Sequence, residues 1–492
     1  MTANLPALQV VIPLLAAPLS LVLRRPGLAW LFTLLISIIT LFVSLELLRQ
    51  VLSGGVISYA MGGWEPPWGI EYRVDTVNAF VLLIVSIIGA VVMLSAGESV
   101  AREVPEDKQP LFYTAYLLCL TGLLGIAITG DAFNLFVFLE ISSLSSYIMI
   151  SLGQDRRSLT AAFQYLIMGT IGATFILIGV GLLYMMTGTL NMHDLSQRLP
   201  AIMETRTVHS AFAFLTVGIS IKLALFPLHL WLPNAYTYAP SVATAFLAAT
   251  ATKVAVYVLL RFVFTVFGVE FAFEMMPLGE ILMLLALLAI FSGSTVAIFQ
   301  DNIKRMMAYS SVAQIGYMIL GISFATVTGL TAGILHLFNH AMMKGALFLA
   351  LGCIVYRIGG NVRLDDFRGL GKTMPWTMAA VVAGGLSLIG VPLTVGFVSK
   401  WYLVLAALEQ GWWPIAVMVL VGSLLAVVYI WKLVEAAYFQ APKEGASGAE
   451  APLSLLIPTW LLIGASVYFG IDTDLTVSVA QIAAQSLLEV RP

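Results

Sequence analysis

A few ionisable side chains stand inside otherwise apolar runs, and the chemistry open to them there is proton exchange. Glu140 follows Phe138-Leu139, Lys222 stands in Gly218-Ile-Ser-Ile-Lys222, and Lys253 lies near the centre of its run. His336, His340 and Lys344 recur at i, i+4 and i+8, which places them along one stripe of a helix. Lys400 follows Gly390-Val-Pro-Leu-Thr-Val-Gly-Phe-Val-Ser399, and Lys432 and Glu435 share a later run. Burial destabilises an ammonium and a nearby carboxylate restores it, while imidazole exchanges protons near neutral pH. A Glu140–Lys222 pair of adjustable separation is therefore a proton switch. With the carboxylate close, Lys222 holds its proton; with it withdrawn, the proton passes to Lys253. His336-x3-His340 is also a spacing that binds metals, but the cationic Lys344 one turn on disfavours it and no cysteine or carboxylate completes a ligand set. No metal and no cofactor is expected. His229, at the end of its run, can either relay protons to an exit or anchor the membrane interface.

These residues need helices that cross a bilayer. Of 492 residues, 60% are hydrophobic and only 10% charged, against about 25% in average soluble proteins; mean hydropathy is +0.97. These values exclude a soluble enzyme, a disordered chain and a disulfide-stapled domain. Net charge is −2 and no basic tract suits nucleic acid. Cys119 and Cys353 both fall inside apolar runs and read as buried free thiols. Apolar runs predict spans at 6–23, 28–50, 78–97, 112–129, 132–152, 160–187, 209–229, 241–267, 278–298, 306–327, 329–356, 376–408, 414–440 and 453–470, about 14 in all. They are continuous and about twice the length of barrel strands, so a β-barrel is excluded. The first run lacks the basic flank of a signal peptide and is expected to remain as a span.

A charge at the centre of a bilayer costs roughly 3 kcal/mol on insertion scales, so the seven charged residues above would sum to about 20 kcal/mol if all faced lipid. Static ion pairs cementing a bundle are the plain alternative, but so many sites at matched depth point to an interior polar path. Pro227 lies five residues after Lys222, and Pro392 eight before Lys400. Proline is common in membrane helices, yet it frees carbonyls that are tolerated at depth only against protein or a watery cavity. Broken helices at corresponding positions of two halves mark inverted-repeat transporters; spans 4–8 and 9–13 form such halves, with spans 7 and 12 corresponding. Loops following odd-numbered spans hold thirteen basic residues, including Lys304 and Lys443. Even-numbered loops and the tail hold six, including Arg261 and Arg491. Odd loops should therefore be cytoplasmic, with both termini outside. Residues 51–77, with Gly62-Gly-Trp-Glu-Pro-Pro-Trp68, predict an ordered external loop, 441–452 a flexible one, and 474–489 an amphipathic helix lying on a surface.

Four segments carry a family resemblance. Lys222-Leu-Ala-Leu-Phe-Pro-Leu-His-Leu-Trp-Leu-Pro233 resembles the lysine-bearing broken helix of proton-translocating antiporter-like subunits. Asp301-Asn-Ile-Lys-Arg-Met-Met-Ala-Tyr-Ser-Ser-Val312 is similar to the motif that opens their tenth span. His336-Leu-Phe-Asn-His-Ala-Met-Met-Lys-Gly345 and Gly390–Lys400 match two more. The likeness runs from about residue 75 to 440. The family spans three large membrane-arm subunits of respiratory complex I, subunits of membrane-bound hydrogenases, and the A and D subunits of Mrp-type cation/proton antiporters.

The resemblance implies an all-α polytopic membrane protein with two inverted five-helix repeats. The divisions would be 1–111 (spans 1–3), 112–267 (first antiporter repeat), 278–440 (second antiporter repeat) and 441–492 (last span and tail). Glu140 would be the fifth-helix glutamate, Lys222 the seventh-helix lysine, Lys253 the eighth-helix relay and Lys400 the twelfth-helix exit lysine. His336, His340 and Lys344 would form the central hydrophilic axis; apart from the resemblance, Lys432 and Glu435, inside a late apolar run, are read as further relay positions. A length near 490 argues against the A-type subunit, and lysine at 400 departs from the complex I subunit carrying glutamate there. Phe246-Leu-Ala-Ala-Thr-Ala-Thr-Lys-Val-Ala-Val-Tyr257 is most similar to the Mrp D subunit, whereas Ala235-Tyr236 departs from the Ala-His common in complex I relatives. A D-type subunit would sit in a prokaryotic plasma membrane beside A, B, C, E, F and G partners. It would be a secondary transporter subunit and no enzyme, exchanging protons for Na+ or another monovalent cation. The alternative is the proton-pumping arm of complex I or a hydrogenase, with the redox cofactors on other subunits.

Overall fold

The computed structural model describes residues 4–442 and 449–489, so residues 443–448 of the expected 441–452 loop, with Lys443, and Arg491 lie outside the described residues. The described chain is almost wholly helical. In order it forms α1 (Leu5–Val22), α2 (Pro26–Gly54), a hairpin of β1 (Ile57–Ala60) and β2 (Glu71–Val74), α3 (Thr76–Glu103), α4 (Gln109–Ile128), α5 (Ala132–Ser151), α6 (Arg157–Thr187), α7 (Met192–Arg198), α8 (Arg206–Leu223), α9 (Trp231–Tyr238) and α10 (Ser241–Leu260). There follow α11 (Leu278–Ile298), α12 (Ile303–Ser323), α13 (Val327–Ile358), α14 (Leu370–Thr373), α15 (Pro375–Ile389), α16 (Val395–Glu409), α17 (Trp413–Val434), α18 (Leu453–Ile471) and α19 (Asp474–Glu489).

Among the described residues, eleven helices are long and apolar enough to cross a membrane. The runs at 209–229, 306–327 and 376–408 hold the rest, and each has a physical reason to fall short. α12 carries Lys304, Arg305, Ser310, Ser311 and Gln314. The other two runs are broken: α8 ends at Leu223 where Ala224 turns to φ +59°, and α15 ends where Gly390 turns to φ +94°. Polar side chains and free backbone lower apolarity in the segments that would build an interior path.

The caps are legible in the chain. Asp75 and Asn78 form a reciprocal capping box at α3, while Asp131, Asn302 and Thr326 accept from backbone N–H groups at the starts of α5, α12 and α13. α10 is buried along its length and α13 from Gly329 to Val355, and the two pack together as the centre of the bundle. α1, α2, α11 and α17 wrap the outside, with many large apolar side chains exposed.

The 51–77 loop is ordered, as expected, but as a β-hairpin pairing Ile57 with Val74 and Ala60 with Glu71. Its two strands are too short to announce themselves in the sequence. Glu71 is buried beneath it, accepting from Ser58 Oγ at 2.6 Å and Asn191 Nδ2 at 2.8 Å, with Arg73 at 3.4 Å. Burial opposes ionisation of Glu71, but these three contacts outweigh it and hold the carboxyl below its ordinary range. α19 lays one face on α13 and α3 beside the hairpin, an amphipathic surface helix docked on the protein itself.

Candidate functional site

The site is a line of buried basic groups with one acid at its end. Glu140 and Lys222 meet across α5 and α8, Lys222 Nζ lying 3.8 Å from Glu140 Oε1 and donating to Ser143 Oγ at 2.9 Å. At 3.8 Å the pair is close yet not hydrogen-bonded. The Glu140 side chain is 27% exposed and that of Lys222 only 7%. Glu140, Ser143 and Tyr147 share one face of α5. Gly169 of α6 makes room for this cluster: a Cβ there would stand 1.9 Å from the Tyr147 hydroxyl oxygen and 3.6 Å from Lys222 Nζ. That hydroxyl is buried and finds no partner.

Beside Lys222 lies a cavity of about 40 Å³. Ser142, Ser143, Ser146 and Lys222 supply its polar wall, and Ala251 and Val254, which flank Lys253, close the far side. That volume admits water, and the hydroxyls provide the partners that ordered water needs. It opens between Lys222 and the face of α10 that carries Ala251, Val254 and Val258.

Lys253 is fully buried, with Nζ donating to the Ala248 carbonyl oxygen and, at 3.4 Å, to Thr252 Oγ1. It faces α13 within electrostatic reach of His336, His340 and Lys344. Lys344 Nζ donates to Met307 O at 2.8 Å and Ser310 Oγ at 2.5 Å. The rings of His340 and His336 stack at 5.9 Å, and neither nitrogen of the buried His340 has a partner. His336 is held by Ser399 Oγ at 2.8 Å and Gln314 Oε1 at 3.0 Å. Tyr317 lies edge-on to His336 and under Lys400, whose Nζ is 4.7 Å from the ring centre.

Lys400 shows what the broken span contributes. Its Nζ donates to Leu388 O at 3.1 Å, Ile389 O at 2.9 Å and Ser423 Oγ at 3.0 Å. The first two are carbonyls that the end of α15 leaves without helical partners, and the negative end of a helix favours a cation. Gly396 permits the approach, since a Cβ there would stand 1.8 Å from Ser387 O.

The expected residues separate into those brought together and those left apart. Glu140 meets Lys222 across α5 and α8, and Lys253, Lys344, His340, His336 and Lys400 gather around α13. His229 is buried in the break between α8 and α9, ring-stacked on Phe226 with Nδ1 unpartnered, off that line. Lys432 is half-buried and donates to Ile298 O at 2.7 Å, while Glu435 is exposed where α17 passes into a π-helical turn. Neither joins the axis. Cys119 and Cys353 are buried and free. No group of three His, Cys, Asp or Glu side chains able to hold a metal is found among the described residues.

Ser143, Tyr147, Ser310, Gln314, Tyr317, Ser399 and Ser423 are not foreseen by a search for charge, because neutral hydroxyls and amides are ordinary in membrane helices. Two residues counted as loop cations are also buried in the bundle. Lys304 donates to Ala239 O at 2.7 Å, and Arg261 is paired with Asp75.

Comparison with known proteins gives the family. The family model described as NADH:quinone oxidoreductase/Mrp antiporter, TM matches residues 129–426. The chain is 42% identical to NADH-quinone oxidoreductase subunit N of Desulforudis audaxviator, over 97% of this chain and 98% of that protein. It is 31% identical to the D subunit of the Na(+)/H(+) antiporter of Alkalihalophilus pseudofirmus, over 88% and 87%. A chain in the structure of the Mrp complex from Dietzia sp. superimposes with a TM-score of 0.91 at 27% identity, covering 99% of this chain and 98% of that one. With the match spanning more than half of its length, this multi-pass membrane chain belongs to the NADH:quinone oxidoreductase/Mrp antiporter transmembrane family.

Proposed function

We propose that the chain is the proton-translocating subunit of a multisubunit antiporter of Mrp type, exchanging protons for Na+ or another monovalent cation. The observation that carries this reading is the Glu140–Lys222 pair at 3.8 Å, standing at the end of a line of buried bases that has no other acid among the described residues. Each further proton on that line meets desolvation and repulsion from its neighbours. Moving Glu140 away from Lys222 releases one proton towards Lys253, and the charge is handed along Lys344, His340 and His336 to Lys400. Glu140, Lys222, Lys253 and Lys400 are the principal carriers in this scheme. The imidazoles and Lys344 relay, and His229, Lys432 and Glu435 serve at its margins. The oxygen-poor axis suits protons better than Na+, which wants several oxygen ligands, so the cation is expected to cross elsewhere in the assembly.

The same reading takes residues 112–267 and 278–440 as two inverted repeats within fourteen crossings, with odd loops cytoplasmic, both termini outside and A, B, C, E, F and G type partners in a prokaryotic plasma membrane. The exposed stripe Phe133, Val137, Glu140, Leu144 and Ile148 on α5 supports a neighbour. A carboxylate on a lipid-facing stripe is costly, and a partner subunit covering it removes that cost. The test is proton flux in vesicles holding the purified assembly. Glu140→Ala and Lys222→Ala should each abolish it while insertion stays normal, and retained flux in both sinks the proposal.

A second reading rests on the 42% identical relative named NADH-quinone oxidoreductase subunit N. There the same line of bases would be driven by electron transfer in other subunits. Flavin and iron–sulfur absorbance in the assembly purified gently from its native membrane decides for that reading, and a colourless assembly with Na+-dependent proton flux decides for the antiporter.

A further inference from the structure

The α10 stripe does not stop at Lys253. Tyr257 and Arg261 follow at i+4 and i+8, so three polar side chains run along one face from the buried centre to the hairpin side of the bundle. There they meet a cavity of about 170 Å³. Val56 and His193 are exposed at its rim, Arg73 and Asp75 line its wall, and the buried Tyr257 and Arg261 form its floor. Arg261 spans the floor: Nη1 lies 2.8 Å from Asp75 Oδ2, Nη2 donates to Asp75 Oδ1 at 3.0 Å, and Nε donates to the Tyr257 hydroxyl oxygen at 3.2 Å. The Tyr257 hydroxyl in turn donates to Ala127 O at 2.9 Å. From Arg261 to Val266 the helix widens into a π-turn, a local irregularity often found at functional sites.

Resting on the proposed proton function, we infer that this cavity is a proton port on the hairpin side and that the Asp75–Arg261 pair is its gate. A guanidinium held across a narrow polar passage is an electrostatic barrier to protons, and Asp75 fixes it there. Tyr257 is the step between the gate and the axis. Its oxygen accepts the proton from Lys253 Nζ while its own hydroxyl proton passes to water in the cavity, leaving lysine and tyrosine neutral. In this structure the port is shut from both ends. The ion pair is formed, and Lys253 Nζ is turned the other way along α10, onto Ala248 O. Opening therefore requires Lys253 to swing towards Tyr257 and Arg261 to move aside.

The plain alternative is a static clamp tying α3 to α10. Breaking one partner of a buried pair is destabilising in itself, so the test uses the neutral double variant Asp75→Asn/Arg261→Gln and, separately, Tyr257→Phe. Both go into the native assembly, reconstituted in vesicles with an internal pH dye. The port predicts that the double variant assembles but dissipates an imposed pH gradient at least tenfold faster than wild type with no exchangeable cation present. It also predicts that Tyr257→Phe slows coupled proton flux at least tenfold. A double variant that holds the gradient like wild type, or Tyr257→Phe at wild-type turnover, overturns the port. Lys222→Ala in the same vesicles separates the two ideas. If it silences flux while the port variants behave as wild type, only the port fails; if it leaves flux intact, the translocation reading fails with it.

Discussion

Lys400 illustrates how one side chain serves structure and transport together. Its ammonium satisfies two carbonyls at the end of α15, so removing it leaves both without a donor. Lys400→Met should block or uncouple the second half of the path and lower stability by about 1–3 kcal/mol, the usual cost of stranding a buried acceptor; flux assays and thermal unfolding of the same preparation check both. Cys119 is the contrasting case. Its Sγ lies 3.3 Å from Ser146 Oγ, behind the wall of the cavity beside Lys222, and carries no charge on the axis. Cys119→Ser keeps a hydrogen-bonding atom there and should leave flux and assembly at wild-type levels. The charged residues of the axis are legible in the sequence, because a lysine in an apolar run needs a reason. The hydroxyls that hold them are not. Ser310 and Ser399 carry no such cost and look like any small residue of a membrane helix.

At the scale of elements, the approach of α6 to α5 and α8 depends on a missing side chain. A methyl at Gly169 would stand 1.9 Å from the Tyr147 hydroxyl oxygen, where something must shift. Gly169→Ala should displace Tyr147 against Lys222, at the overpacking cost of about 1–3 kcal/mol, and reduce proton flux at least tenfold. Adding Tyr147→Phe removes the clashing oxygen and should recover most of the loss, and an unaltered defect in the double variant would count against this packing account. Helix positions were readable from apolar runs, and the two breaks from Pro227 and Pro392. The hairpin and α7 were not, since four-residue strands and a seven-residue helix lack a sustained period. Nor could counting place Arg261 or Lys304. Each stands at a helix terminus, Lys304 in the first turn of α12 and Arg261 just after α10, where loop and span are indistinguishable in sequence.

Two expectations belong to the whole molecule. The first concerns the hairpin. Because Glu71 is held below its ordinary range, its contribution to stability is complete at neutral pH and is lost only as pH falls below about 4, where free glutamate protonates. Hydrogen exchange of the hairpin should show that acid-side loss in wild type and lack it in Glu71→Gln, which starts less protected at pH 7. The second concerns the α5 stripe around Glu140. Leu144→Trp is well tolerated against lipid but obstructs a packed partner, so it should strip a neighbouring subunit from the purified assembly. Full subunit occupancy would place that face against lipid.

Composition and the lone charges were enough to establish a helical membrane protein built around proton-bearing side chains, because the bilayer makes each buried charge expensive and so conspicuous. Pairing came from the fold. Which lysine lies beside Glu140, which carbonyls receive Lys400, and that Arg261 pairs with Asp75, 186 residues earlier in the chain, depend on contacts between distant segments. Side-chain type and spacing constrain the faces of single helices; the apposition of helices, decided by packing across the bundle, selects the partners.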